Sequence, residues 1–96
     1  MSQMYFGEQD PFVLEDERGY ATGMVMIPSG EDVEVFQDEY DADTNIHSLI
    51  FKFWDGQMVQ HCLYEIDYNT NLLKSFIKDY EFNWCTDSIQ KLSFYT

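Results

Sequence analysis

The feature that most narrows the fold is the stretch Leu49-Ile50-Phe51-Lys52-Phe53-Trp54, then Asp55-Gly56, then Gln57-Met58-Val59-Gln60-His61-Cys62-Leu63-Tyr64. Two runs of β-forming residues flank an Asp-Gly dipeptide, which supplies the positive φ angles that a two-residue hairpin loop requires. With the loop at Asp55-Gly56, Trp54 opposes Gln57, and the pairs run outward as 53 with 58, 51 with 60 and 49 with 62. Leu49, Phe51, Phe53, Met58 and Cys62 then share one face, with Gln60 as a polar intrusion. An antiparallel sheet with one apolar face follows.

Other elements arrange themselves around this hairpin. Residues 1–19, with Gly7, Pro11, Gly19 and the run Glu15-Asp16-Glu17, read as an irregular arm with one short strand around Phe12-Val13-Leu14. Met24-Val25-Met26-Ile27 reads as a strand stopped by Pro28-Ser29-Gly30. Asp32 to Gln37 alternates, with Val33 and Val35 inward and Asp32 and Glu34 outward. Leu72, Leu73, Phe76, Ile77 and Tyr80 follow helical spacing after a cap at Asn69 or Thr70 and predict an amphipathic helix of about three turns. Ile89 to Tyr95 closes the chain as a strand. No internal repeat is legible. The expected class is α+β: a small antiparallel sheet of four to five strands with one amphipathic helix packed on a face.

The 96 residues suit one domain, and the 45% apolar and 18% aromatic content argues that it folds despite its charge. Eighteen carboxylates face five basic side chains, for a net charge of −13. The balance is uneven: residues 1–48 hold twelve carboxylates and only Arg18, a net of −11, while residues 49–96 hold six carboxylates and four lysines, a net of −2. Such a chain repels nucleic acid and anionic membrane, and it attracts basic surfaces at enhanced rates. No run approaches the roughly 20 apolar residues of a membrane span, and Met1-Ser2-Gln3-Met4 lacks the pattern of a secretion signal, so the expected location is the cytoplasm. There Cys62 and Cys85 are expected as reduced thiols.

The charge concentrates between residues 31 and 43. Carboxylates at i and i+2 of a strand project about 7 Å apart, close to the spacing of successive phosphates, so Asp32 with Glu34 and Asp41 with Asp43 form a candidate phosphate-like track. The candidate partner-binding residues are Glu31, Asp32, Glu34, Asp38, Glu39, Asp41 and Asp43, with Glu15, Asp16 and Glu17 as a second patch and Tyr40 and Trp54 as aromatic anchors.

Sites of other kinds fail on spacing. Asp41-Ala42-Asp43-Thr44-Asn45 matches the opening of an EF-hand loop, but Ile46 replaces the required glycine and Lys52 the bidentate glutamate. His47 and His61 fall on opposite faces in the hairpin register, and no cysteine or histidine pair has metal-ligand spacing. No serine sits in a glycine-framed elbow, and no glycine cluster cradles a phosphate. Neither a catalytic residue nor a cofactor or metal is assigned.

In charge, size and absent chemistry, though not in any motif, the chain resembles the small acidic inhibitors that phages and plasmids encode against host nucleases, such as anti-restriction and anti-CRISPR proteins. That resemblance implies an inhibitor acting in the host cytoplasm by occupying a basic nucleic-acid-binding surface, in some cases by imitating DNA, without binding nucleic acid or membrane itself. An immunity protein or antitoxin capping a basic toxin is the alternative. A small acid–base enzyme is the third, distinguished by a pocket holding a carboxylate of raised pKa.

Overall fold

The computed structural model describes residues 8–92, which form seven strands: β1 (Gln9–Glu15), β2 (Ala21–Pro28), β3 (Glu34–Asp41), β4 (Ile46–Trp54), β5 (Val59–Asp67), β6 (Leu72–Lys78) and β7 (Trp84–Lys91). β1 and β2 pair as an antiparallel hairpin, and β3 to β7 make a five-stranded antiparallel meander in chain order. No helix occurs among the described residues, so the expected α+β class is corrected to all-β. The short strand expected around Phe12-Val13-Leu14 is present and longer, β1 taking in Gln9–Glu15 of what was expected as an irregular arm. Met1 to Gly7 and Ser93 to Thr96, the latter including the end of the expected last strand, lie outside the described residues.

The expected helix is strand β6. Leu73, Ser75 and Ile77 face the core, while Leu72, Lys74, Phe76 and Lys78 face outward. Because both faces of this strand carry apolar side chains, the two-residue alternation is obscured and apolar residues recur at intervals that imitate a helical period. The expected cap region is instead a hairpin loop ending at Asn71, whose φ of 61° lies in the left-handed region that asparagine tolerates.

The β4–β5 hairpin is present with a shifted register. Trp54 pairs with Val59, Phe53 with Gln60, Phe51 with Cys62 and Leu49 with Tyr64. The loop therefore has four residues, because Asp55 Oδ1 accepts the backbone N–H groups of both Gln57 and Met58 at 2.8 Å and Oδ2 accepts the Gln60 amide at 2.7 Å. A slip of two preserves the facing of every side chain. Leu49, Phe51, Phe53 and Cys62 remain together, and Met58 moves into the loop, where it is exposed.

The β1–β2 hairpin covers this face. Leu14, Val25 and Ile27 pack against Leu49, Phe51, Phe53, Cys62, Tyr64, Ile66 and Leu73. Phe51 stands edge-on to Tyr64 with ring centroids 5.1 Å apart, a favoured aromatic geometry. Polar contacts fix the two layers: the Tyr64 hydroxyl donates to the Met26 carbonyl at 3.0 Å, and the Tyr68 and Thr22 hydroxyls lie 2.7 Å apart.

Every hairpin loop opens with an aspartate that accepts backbone N–H groups through its carboxylate. Asp16 accepts from Arg18 and Tyr20, Asp41 from Asp43, Asp55 from Gln57 and Met58, Asp67 from Asn69 and Thr70, and Asp79 from Glu81 and Asn83. These are Asx turns, in which the side chain substitutes for a backbone acceptor. Two of the loops repeat in sequence, Asp41-Ala42-Asp43-Thr44-Asn45 and Asp67-Tyr68-Asn69-Thr70-Asn71, each ending on a left-handed asparagine. Both terminal carbonyls accept from the chain one hairpin further on, Asn45 from Tyr68 N at 3.1 Å and Asn71 from Leu92 N at 3.0 Å.

The loop carboxylates give stability a defined acid dependence. At Asp55 the Gln60 amide, then the Met58 and Gln57 N–H groups, hold the carboxyl below its ordinary value. At Asp79 the Asn83 N–H dominates. At Asp16 partial desolvation pushes upward but is outweighed by the Tyr20 and Arg18 N–H groups and the Arg18 charge. A pKa depressed on folding adds stability above the unfolded value of about 3.9 and loses it as pH falls through the folded value. The melting temperature should therefore fall as pH drops below about 4. Asparagine keeps the acceptor oxygen but takes up no proton, so D16N/D55N/D79N should show a shallower decline in circular-dichroism melts between about pH 5 and 2. Equal slopes would refute the assignment.

Candidate functional site

The acidic residues divide into those held by the fold and those left to face outward. Of the predicted site residues, Asp16 and Asp41 hold loops, and Asp32 Oδ2 accepts the Trp54 N–H at 2.9 Å, joining the β2–β3 connection to the end of β4. Glu34 lies 3.5 Å from the Lys52 ammonium across the β3–β4 pair. Asp38 reaches inward, its Oδ1 2.6 Å from Nε2 of the buried His47. Glu15, Glu17, Glu31, Glu39 and Asp43 are exposed and make no side-chain hydrogen bond or ion pair among the described residues.

Segment 31–43 runs the length of β3, an edge strand, so its carboxylates form a line. Glu31 and Asp32 lie at the Trp54 end and Asp41 and Asp43 at the other. The expected i, i+2 pairing of Asp41 with Asp43 does not form on a strand, because Asp43 sits in the β3–β4 loop. Register places Glu39 and Asp41 on one face instead, while a bulge at Phe36 interrupts the track toward Glu34.

At the Asp41 end a chain of hydrogen bonds links the loops of the sheet to the β1–β2 hairpin. Asn45 Nδ2 donates to Asn69 Oδ1 at 3.2 Å and Asn69 Nδ2 to the Thr44 carbonyl at 2.9 Å, which sets the β3–β4 and β5–β6 loops side by side. The Tyr68 hydroxyl contacts Thr22, two residues past the β1–β2 loop. The β1–β2 hairpin, whose loop carries Glu15, Asp16 and Glu17, is thus tied to the loop that Asp67 opens, and Arg18 lies 3.6 Å from Asp16. Asp67 was not among the predicted residues. The repeated loop sequence was the available signal.

The two predicted aromatics differ. Tyr40 is half-buried, donates its hydroxyl to Asn45 Oδ1 at 2.6 Å, and sets its ring edge-on to Tyr68. Trp54 is half exposed at the tip of the β4–β5 hairpin. Tyr80, 90% exposed, and Phe82, 79% exposed, are the most exposed large apolar residues described; Tyr80 is a core position only in the helix that β6 replaces.

Groups suited to covalent or acid–base chemistry are quiet. Neither cysteine is in a disulfide. Burial pushes the Cys62 thiol up to about 12, with the Asp87 charge adding to it. A hydrogen bond to Asp79 raises Cys85. A cleft of about 380 Å³ beside β2 and β7 is lined by Met24, Met26, Tyr64, Leu73, Gln90 and Leu92 among others, with no carboxylate among the described residues of its wall, and burial raises the Tyr64 hydroxyl there. His47 and His61 face opposite sides of the sheet, and the described residues hold no group of three or more side chains able to bind a metal. No described helix is long and apolar enough to cross a membrane.

Asp38 is the predicted contact residue most committed to the fold. His47 is 1% exposed, and its Nδ1 already has no hydrogen-bond partner. Removing the Asp38 carboxylate leaves both ring nitrogens unpaired beneath the edge strand. Asp38→Ala should therefore destabilise by about 1–3 kcal/mol in urea titrations, whereas Glu39→Ala, one residue along, should stay within about 0.5 kcal/mol. Equal effects would contradict this division.

Compared with known protein families, with curated proteins and with solved structures, the chain matches none.

Proposed function

We propose that this protein is a non-catalytic inhibitor whose carboxylates occupy the basic, nucleic-acid-gripping surface of a partner in the cytoplasm. One observation carries the reading: the acidic β3–β4 and β5–β6 loops lie side by side at one end of the five-stranded sheet, Tyr68 bonds Thr22 just past the β1–β2 loop, and Glu15, Glu17 and Asp43 are exposed with no partner among the described residues. Backbone held in short, internally hydrogen-bonded loops loses little freedom on binding. Lysines and arginines arranged for phosphates then meet a preformed anionic surface, and a net charge of −13 speeds the encounter. Glu39 and Asp41, on one face of β3 about 7 Å apart, supply a short stretch of phosphate-like spacing.

A non-catalytic role is supported by the chemistry described above. Among the described residues the cleft wall contains no carboxylate, and the carboxylates with displaced pKa values are displaced downward, away from the range of a general acid at neutral pH. Anti-restriction and anti-CRISPR inhibitors from phages and mobile elements are the class that fits. The exposed Tyr80 and Phe82 favour a second reading, an immunity protein or antitoxin seated on a basic toxin, because such caps need apolar anchors.

Affinity capture from a cognate host lysate, with mass spectrometry of what is retained, tests the proposal. A nucleic-acid-binding protein should be held at low salt, released as ionic strength rises, and displaced by excess duplex DNA. E15K/E17K/D43K should cut retention by about tenfold or more. Capture of a toxin unable to bind nucleic acid would select the second reading. Retention indifferent to salt, DNA and the triple reversal would overturn both.

A further inference from the structure

Two hairpin loops share one geometry and one opening aspartate, but place very different residues at the left-handed position. In the β1–β2 loop, Gly19 N–H donates to the Asp16 carbonyl at 3.0 Å, Asp16 N–H to the Tyr20 carbonyl at 3.0 Å, and the Asp16 carboxylate accepts from Arg18 and Tyr20. In the β6–β7 loop, Phe82 N–H donates to the Asp79 carbonyl at 3.0 Å, Asp79 N–H to the Asn83 carbonyl at 2.9 Å, and the Asp79 carboxylate accepts from Glu81 and Asn83. This is the three-residue loop whose third position takes a left-handed φ, a place that favours glycine. Gly19 holds it at φ 88°, and Phe82 holds it at φ 65°.

A Cβ-bearing residue is strained in that conformation, and a bulky ring has less local compensation than an asparagine. Phe82 gains little packing in return, since it is 79% exposed. The fold thus keeps a large apolar side chain outward at a position where glycine would be more stable. Backbone strain of this kind gathers at sites that bind.

The surroundings point to a ligand chemistry. The β4–β5 and β6–β7 loops leave the same end of the sheet two strand spacings, about 10 Å, apart. They bring exposed Trp54, Met58, Tyr80 and Phe82 to neighbouring tips. Asp55, Asp79 and Glu81 lie on the same two loops, and Glu31 and Asp32 join them through the Asp32–Trp54 hydrogen bond. Apolar anchors within an acidic rim complement an apolar pocket or ridge bordered by lysine and arginine.

We propose that these paired tips, with Phe82 at their centre, are the apolar anchor that seats the protein on a basic amphipathic partner surface. The proposal rests on the basic-partner reading above and adds the chemistry of the anchor and its location, at the end of the sheet opposite the β3–β4 and β5–β6 loops. It is tested with two defined probes in low salt, a helical leucine–lysine peptide and a polylysine of equal charge, titrated by calorimetry. The wild-type protein should bind the leucine–lysine peptide about tenfold or more tightly than polylysine. F82G should melt about 2–8 °C higher, because it relieves the left-handed strain, yet bind the leucine–lysine peptide about tenfold more weakly with its polylysine affinity unchanged. E15K/E17K/D43K should weaken both probes alike, through charge alone.

Each other result counts against the proposal in an identifiable way. If folded F82G binds the leucine–lysine peptide within about twofold of wild type, or if wild type does not prefer that peptide, the anchor is wrong while the basic-partner reading stands. If wild type binds neither cationic probe, the basic-partner reading fails and takes the anchor with it.

Discussion

The aspartate at the mouth of each hairpin loop is the interaction on which this architecture depends. A meander needs its chain to reverse after every strand, and each reversal leaves backbone N–H groups with no ladder partner. Here a carboxylate two to four residues upstream accepts them, at Asp16, Asp41, Asp55, Asp67 and Asp79. Loop length then fixes register, and register fixes which side chains enter the core. The four-residue loop at Asp55 illustrates the sequence of causes: its carboxylate bonds set the pairing of Phe51 with Cys62 and Leu49 with Tyr64, and those pairs are the centre of the buried layer.

A share of the acidity is therefore structural, which changes what the net charge says about binding. Asp32 and Asp38 belong with the loop aspartates, one holding the end of β4 and the other a buried histidine. Such carboxylates remain negative and add to the field around the protein, but altering them disturbs the fold as well as any contact. Glu15, Glu17, Glu31, Glu39 and Asp43 have no such task, and on them an electrostatic role can be separated from a structural one. The charge on β3 has a further consequence: with Glu34, Asp38, Glu39 and Asp41 along an open edge, sheet-to-sheet pairing through that edge is disfavoured.

The sheet was legible where one face of a strand is apolar and the other polar, or where a turn signal stands alone. β2 and the facing of β4 and β5 are of this kind. β6 was illegible because Leu72 and Phe76 line the outer face while Leu73 and Ile77 line the core, and one-dimensional spacing cannot separate that pattern from a helix. Its misassignment also concealed the candidate anchor, since Tyr80 reads as a core helix position only if residues 72–80 are helical. The Asp-x-Asp/Asn-Thr-Asn loops are five residues long, too short to stand out as an internal repeat, and their shared role is given by the structure: each opens on an acceptor aspartate and ends on a left-handed asparagine. The reversal at Asp67 follows from the same chemistry as that at Asp41, and it contradicts a helix beginning at Asn69.

Phe82 was beyond sequence reasoning of any kind, because composition and periodicity give no hint that a phenylalanine occupies a left-handed turn position. Its meaning emerges from comparison with Gly19 in an otherwise equivalent loop of the same molecule. Both loops have the same aspartate bonds and the same reversal, so the loop itself does not require the ring. Packing does not require it either, given its exposure. With both internal explanations removed, the strained, outward ring is best understood through something the isolated chain lacks, and the acidic residues around it define the charge that a complementary surface must carry.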